Sequence, residues 1–495
     1  MLLENNNFEY NMKYAISSES MKLSDKMTIE SGVSAIELMY RASHALFELI
    51  KDKKPNKIAI ICGSGNNGGD GYSLALILAK NNFDIKVYGK LPKTESSKYY
   101  YNRLIAHFPD KFVDINTLTD LSEFDIVVDC LLGIGIKGNL TEEYIHYIGT
   151  INKSKYIISC DIASGLNSDN GLKSPVSVNA SETLAIQSYK TGHFLVDGKD
   201  CSGKLVLCDI GIEIVGEKYY IIDDQFVKNN MPARLNNTHK GSFGRAGIVA
   251  CSDNFVGAGL LAYQSLTSLL GECSMRVGCG YSYLYVPEKM IPAMWSRVTH
   301  SCIFSHNDIG EHKLDSLAFG MGIGENIPLF NKILELNLAK VIDADAINIL
   351  AKNMDKITKL KGSVITPHIM EFSRLIGVRI EDILSDPITY AKHFAKKYQV
   401  ILVLKSSATI VTDGVRVYIN IEGCSGQAKG GSGDVLSGVI TGLLAQKIDP
   451  FVASCMAVCI TGKTAVLVGK KLTEYAELPM DIAKNIGNTL SKILL

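Results

Sequence analysis

Short runs of β-branched and aliphatic residues recur along this chain, each ending in a loop of glycines, amides or acids before helical spacing resumes. Lys57-Ile58-Ala59-Ile60-Ile61-Cys62 leads into Gly63-Ser64-Gly65-Asn66-Asn67-Gly68-Gly69-Asp70-Gly71, and residues 72–80 then take up helical spacing. Residues 124–129 lead into Leu132-Gly133-Ile134-Gly135-Ile136-Lys137-Gly138-Asn139, and residues 155–160 into Asp161-Ile162-Ala163-Ser164-Gly165. Runs that are apolar throughout suit strands covered on both faces, and strands separated by helices pair in parallel. The pattern therefore predicts an α/β layered fold. Ligands of open parallel sheets bind beyond the carboxyl ends of the strands, so three polar loops are expected to meet at one crevice.

Ahead of the first strand, residues 18–51 carry apolar side chains at helical spacing, interrupted near Gly32, which predicts two helices. Residues 1–12 are polar and Asn-rich, as expected of a tail. Gly63-x-Gly65-x-x-Gly68 matches the dinucleotide fingerprint, but the next strand ends in Tyr88-Gly89-Lys90 with no acid for a ribose hydroxyl. Asn66, Asn67 and Asp70 put amide oxygens and a carboxylate where plain glycines suffice for an NAD turn. A polar ligand or a cation is expected instead.

At 495 residues the chain exceeds one ordinary core, so two domains of roughly 200 to 270 residues are expected. The pattern weakens after Asp209-Ile210-Gly211-Ile212 and turns polar at Lys228-Asn229-Asn230 before Pro232, placing a join near residue 225 and domains at 1–225 and 226–495. Lys+Arg and Asp+Glu both number 51, leaving no net field for nucleic acid or an anionic membrane. Twelve cysteines without CxxC pairs argue for reduced thiols rather than a disulfide framework or zinc knuckle. No signal-peptide pattern opens the chain and no run of eighteen apolar residues occurs, so a soluble, cytoplasmic protein is expected.

The second half repeats the plan. Residues 246–250 read as a first strand, and Gly257-Ala258-Gly259 opens the next helix. Further strands end at Gly320-Met321-Gly322-Ile323-Gly324, at Asp343-Ala344-Asp345, at Thr366-Pro367-His368 and at Lys405. Gln427-Ala428-Lys429-Gly430-Gly431-Ser432-Gly433-Asp434 then precedes an apolar helix. Glycines let successive backbone N–H groups converge on a phosphate, and the helix start adds the positive end of its dipole. Asp434, on the first turn, stands beside such a phosphate as a base for an attacking oxygen. For His368, a plain reading as a helix cap after Pro367 stands beside a substrate contact.

These residues carry a resemblance. Gly65 to Gly71, residues 129–138 and Asp161 to Gly165, with Met39-Tyr40-Arg41-Ala42, resemble the NAD(P)H-hydrate epimerase family, whose fold is Rossmann-like with three layers. His239 to Gly244, Asp343-Ala344-Asp345, Thr366-Pro367-His368 with Glu371, and Gly431 to Leu436 resemble the ADP/ATP-dependent NAD(P)H-hydrate dehydratases of the ribokinase-like superfamily. The first resemblance implies that Asn66, Asn67, Gly68, Gly69, Asp70 and Gly133, Ile134, Gly135, Ile136, Lys137, Gly138, Asn139 contact the hydrated dinucleotide. It further implies that Asn67, Asp129 and Ser164 hold K+, and that Asp161 with Lys190 moves protons in epimerising the hydrate. Ala163 and Ile134 stand where that family has proline and threonine.

The second resemblance implies that Ala258, Gly322, His368 and Glu371 face hydrated NADH or NADPH. Lys405, Ser406, Ser407, Ala408 and Thr409, with Gly430, Gly431, Ser432 and Gly433, would hold ADP or ATP with Mg2+, and Asp434 would deprotonate the ring hydroxyl. Lys429 departs from the small hydroxyl residue usual there, and residues 266–272 look like an addition. Relatives imply self-association. The alternative is a ribokinase-like small-molecule kinase fused to a dinucleotide-binding module.

Overall fold

The computed structural model describes residues 12–135, 138–252, 269–295 and 298–495. Its contacts divide the chain between Tyr219 and Tyr220, with Met12 and Lys13 joining the later unit, a few residues before the join read from composition.

The earlier unit, Tyr14–Tyr219, holds seven strands paired in parallel throughout, in the order Phe112–Asp114, Asp84–Gly89, Lys57–Cys62, Ile126–Cys130, Ile157–Cys160, Glu182–Ile186, Lys204–Cys208. Strand pleating divides each run between two cores. Ile58, Ile60 and Cys62 enter one apolar cluster with helices Ala35–Lys51, Asn66–Lys80 and Glu95–His107, while Ala59 and Ile61 enter the other with Glu142–Ile151. This is the three-layer arrangement that apolar strand runs require. Chain direction across the sheet reverses at Lys57–Cys62, flanked by the second and fourth strands of this sheet, so the crevice opens between the loops after Cys62 and Cys130.

Two details depart from the sequence reading. A short strand, Tyr14–Ile16, precedes the two helices Ser18–Glu30 and Ala35–Lys51 and pairs in parallel with Tyr189–Lys190. The helix expected at residue 72 starts at Asn66, so Asn66 to Gly71 form its first turns rather than a loop. Glycine content suggested a loop, but packing explains it: a Cβ on Gly68 would lie 1.9 Å from the Gly63 carbonyl oxygen, and one on Gly71 2.6 Å from Cys62 Sγ. These glycines let the helix press against the sheet.

In the later unit the strands run Cys302–Ser305, Tyr281–Val286, Arg245–Val249, Ser316–Phe319, Ala339–Ile342, Val364–Ile365, Ile401–Leu404, Thr409–Thr412, Val417–Asn420, Tyr219–Ile221. They pair in parallel as far as Ile401–Leu404, after which Thr409–Thr412 runs antiparallel to both its neighbours. Helix Ser432–Ala445 is buried from Val435 onward beneath the sheet's central strands. Helix Pro450–Leu472 has the length and hydropathy to cross a membrane, yet 78% of its most apolar window is buried, as befits a core helix. Of residues 266–272, those at 269–272 fall among the described ones, and Leu269 and Leu270 are buried in the core.

Candidate active sites

In the earlier unit a cavity of about 530 Å³ lies at the sheet's reversal point. Asn66, Asn67 and Asp70 line it from one helix, Gly133, Ile134 and Gly135 from the facing loop, and Asp161 with Lys190 from its far end. Gly68 and Gly69 are buried behind this lining, while Gly138 and Asn139 are exposed and outside it. Ile136 and Lys137 lie outside the described residues.

Asp161 follows strand Ile157–Cys160 with φ at 63°, a left-handed backbone unusual for a non-glycine residue and tolerated where surrounding bonds enforce it. Those bonds are visible. Its amide donates to Leu184 O at 2.8 Å, and its carboxylate accepts from Ile186 N at 3.0 Å and from Lys190 Nζ. Lys190 is fully buried and also donates to Ile186 O at 2.8 Å. His193 completes the frame: Nδ1 accepts from Lys190 N at 3.1 Å, so Nε2 carries the proton toward Asp161 O at 2.8 Å. Burial, reinforced by the Lys190 ammonium, brings its imidazole down to about 4, so it is neutral at ordinary pH. No reading of the sequence singled out His193, which sits three residues beyond Lys190 in a 3-10 turn.

A second group of oxygens lies next to this cavity. Asp129, fully buried, accepts from Ser159 Oγ at 2.8 Å, Ser164 N at 2.9 Å and Ser164 Oγ at 2.6 Å. Burial pushes its carboxyl upward against these donors. Ser164 Oγ also accepts from Leu132 N, and Asn67 Nδ2 donates to Leu132 O at 2.9 Å. Asn67 Oδ1 is buried without a partner among the described residues. Asn67, Asp129 and Ser164 are thus brought together, joined by the Leu132 carbonyl, which no side-chain pattern reveals.

In the later unit the strand-end residues converge around Asp343. Its carboxylate accepts from Lys405 Nζ at 3.0 Å, Ser437 Oγ at 2.7 Å and Ala344 N at 2.9 Å. Ala344 and Cys251, each just past a strand end, are left-handed at φ 49° and 71°. Gly431 caps helix Ser432–Ala445 at φ 101°, which a side chain would strain. A Cβ built on Gly433 would lie 3.3 Å from Lys405 Nζ and 3.5 Å from an Asp343 oxygen, so the lysine stands over the helix start. Ser432 Oγ is buried there without a partner among the described residues.

Asp434 is half-buried on that first turn. Desolvation, then the Asp343 carboxylate, pushes it up to about 7 against the pull of Lys405. A carboxylate poised near neutrality suits a general base. Asp343 and Ser437 were not assigned roles from sequence, although Ser437 follows Asp434 by three residues and so shares its helix face.

His368 does cap a helix: its Nδ1 accepts from Met370 N and Glu371 N at 3.1 and 3.2 Å, and Glu371 returns a bond to His368 N at 2.9 Å. Burial lowers its imidazole, with Glu371 opposing. A backbone bridge joins His368 to Lys405. Gly322 is left-handed at φ 67° in the loop after Phe319. Ser406 Oγ donates to Ala408 O at 2.7 Å, closing the turn before Thr409; Ser407 lies within it, and Ala408 is buried. Gly430 has open space where a side chain would be. Lys429, the departure noted above, donates to the carbonyls of Glu474, Tyr475 and Glu477, stapling the glycine loop to the segment before helix Pro479–Leu494. Ala258 lies outside the described residues.

Known proteins match along both units. A family model described as NAD(P)H-hydrate dehydratase matches residues 246–488, and one described as YjeF-related protein N-terminus matches residues 35–192. The bifunctional NAD(P)H-hydrate repair enzyme of Hyperthermus butylicus is 31% identical over 96% of this chain and 92% of its own. That of Helicobacter pylori is 30% identical over 94% and 96% respectively. The crystal structure of an ADP/ATP-dependent NAD(P)H-hydrate dehydratase from Bacillus subtilis superposes on 55% of this chain and 98% of its own, with 23% identity and a TM-score of 0.48. With both family models matched in order and full-length relatives at this identity, the chain belongs to the family of bifunctional NAD(P)H-hydrate repair enzymes.

Proposed function

We propose that residues 1–225 epimerise the R and S forms of hydrated NADH or NADPH and that residues 226–495 dehydrate the S form at the expense of ADP or ATP. The observation that carries this is the pairing of two unlike acid–base centres on one chain: Asp161 with buried Lys190 in a cavity, and Asp434 near neutrality beside a glycine-bounded anion hole.

In the second site Asp434 takes the proton of the ring hydroxyl as the phosphoryl group arrives, while Lys405, held by Asp343, and the amides of Gly430 to Gly433 bear the phosphate charge. Phosphate then departs with the C–O electron pair, helped by the ring nitrogen, and loss of the neighbouring C–H proton restores the reduced ring. Phosphate leaves far more readily than hydroxide, which is why a nucleotide is consumed. Mg2+ enters as the nucleotide's partner; among the described residues no cluster of three or more His, Cys, Asp or Glu is placed to hold a metal.

In the first site Asp161 moves protons at the ring carbinol while Lys190 fixes its carboxylate. Asn67 Oδ1, the Leu132 carbonyl, Ser164 Oγ and Asp129 present an all-oxygen donor set that fits K+, and the unpartnered Oδ1 supports that fit. Bound there, K+ supplies positive charge beside the loop that receives the substrate's phosphates. The residues facing the cavity bind: Asn66 and the Gly133 to Gly135 backbone offer polar contacts, and Ile134 an apolar one.

The test is an equilibrated hydrate mixture given ADP or ATP, following return of the reduced-nicotinamide absorbance and phosphate together. Complete recovery of both epimers with one inorganic phosphate per ring, and no accumulating phosphorylated product, is expected. Accumulation of a phosphorylated product would show a kinase instead.

A further inference from the structure

The first cavity is lined by a carboxylate on a third element, Asp25. Asp25 sits on helix Ser18–Glu30, and Met21, Lys22, Asp25 and Ile29, spaced three and four apart, form the stripe of that helix lining the cavity. Asp161 accepts from both Lys190 and the Ile186 amide on one carboxylate oxygen, Oδ1, which fixes it in place. Asp25 is half-buried, and among the described residues nothing donates a hydrogen bond to its carboxylate. Its carboxylate is therefore free to bond a ligand that enters the cavity.

Epimerisation demands such a group. The ring carbon becomes planar when its hydroxyl leaves, and water must return on the other face; one fixed carboxylate serves one face. We propose that Asp25 is the second acid–base residue of the epimerase site, acting on the face of the ring opposite to Asp161. This deepens the epimerase reading and rests on it.

The Asp25 carboxyl gives its proton to the departing hydroxyl; the C–O bond breaks with its electrons going to water, and the ring nitrogen lone pair forms a C=N+ bond. Water adds on the other face, the π pair returns to nitrogen, and the surplus proton passes to Asp161. The opposite epimer runs the same steps with the two carboxyls exchanged. Asp70 also lines the cavity, its carboxyl raised well above the usual range by desolvation, then by Asp161 and Asp25, and it resets the pair by passing its own proton to Asp25 as it takes the one left on Asp161. The charged and titratable groups facing Asp25 are Asp70 and Asp161, Lys190, and Lys22 on its own helix. Burial, with Asp161 adding and Lys190 opposing, brings Asp25 up to about 6, where both protonation states are populated near neutrality.

The experiment uses the full chain and each purified epimer, with Asp25→Asn and Asp25→Glu variants. Epimer interconversion and exchange of the ring oxygen with 18O-water are followed across pH 5 to 8. Nucleotide-dependent dehydration of the S form reports folding and substrate quality. Asp25→Asn is expected to lower kcat for both epimerisation and oxygen exchange by about 100-fold or more, with KM changed less than about threefold, and to erase the limb of the pH profile near 6. Asp25→Glu should recover part of the rate. Wild-type kcat in Asp25→Asn, or a raised KM with kcat intact, overturns the proposal. Wild-type protein that dehydrates but never interconverts the epimers overturns the epimerase reading itself.

Discussion

Replacing Asp434 with asparagine should remove dehydration and, at the same time, stabilise the unit that holds it. An aspartate that ordinarily titrates near about 3.9 is pushed up to about 7 here by desolvation and by Asp343. A carboxyl raised in the fold binds its proton more tightly folded than unfolded. Its favourable contribution is therefore complete below about pH 3.9 and is lost as pH rises toward 7, after which nothing further changes. The displacement of about three pH units corresponds to a ceiling of about 4 kcal/mol. Because Asp434 is only half-buried, solvent screens part of this, and about 2 kcal/mol is the expected effect. Asparagine never ionises and escapes the cost. Its stability advantage should grow between pH 4 and 7 and level off above 8, measured by hydrogen exchange of the amides in helix Ser432–Ala445. Dehydration should fall about 1,000-fold. Near-normal dehydration by the variant, or a stability difference that is flat with pH, would refute the reasoning.

Asp161→Asn should stop interconversion of the epimers and leave nucleotide-dependent repair of the S form intact, so a mixture stalls at its R fraction; loss of S-form repair in the folded variant would place the first unit inside the dehydratase site. Gly68→Ala should destabilise the earlier unit by about 3 kcal/mol in denaturant titration, because its Cβ would lie 1.9 Å from the Gly63 carbonyl, although alanine is the better helix former. Lys429→Ala should raise the KM for ADP or ATP by about tenfold with a smaller change in kcat, since it frees the glycine loop from the Glu474 to Glu477 carbonyls. An unchanged nucleotide KM would assign Lys429 to packing alone.

Much of the architecture is legible in the chain because it depends on local periodicity. Apolar runs at Lys57–Cys62, Ile126–Cys130 and Ile157–Cys160 are short, rich in β-branched residues and bounded by glycines or acids, which reads as strands covered on both faces, and their ends carry the acids and glycines that a strand-end site requires. Asp161, Asp129 and Lys405 are legible this way as strand-end residues, and Asp434 from the glycine loop that opens its helix. The glycines misled in one place: at Gly68 and Gly71 they mark a helix pressed on a sheet rather than a loop, and nothing local distinguishes a glycine needed for close approach from one needed for a turn.

Tertiary structure decided what depends on partners distant in sequence. Asp25 lies 136 residues before Asp161, and only the fold brings its helix to line the cavity that Asp161 enters. Asp343 reads as a strand-end acid, but its bonds to Lys405 and Ser437 require two strands and a helix distant in sequence to meet. The charge state of Asp434 is likewise unreadable from a glycine-rich motif, because desolvation and a neighbouring carboxylate are properties of the packed site. Periodicity is local and survives in one dimension. Proximity, burial and the electrostatic field arise between segments that meet only when the chain has folded.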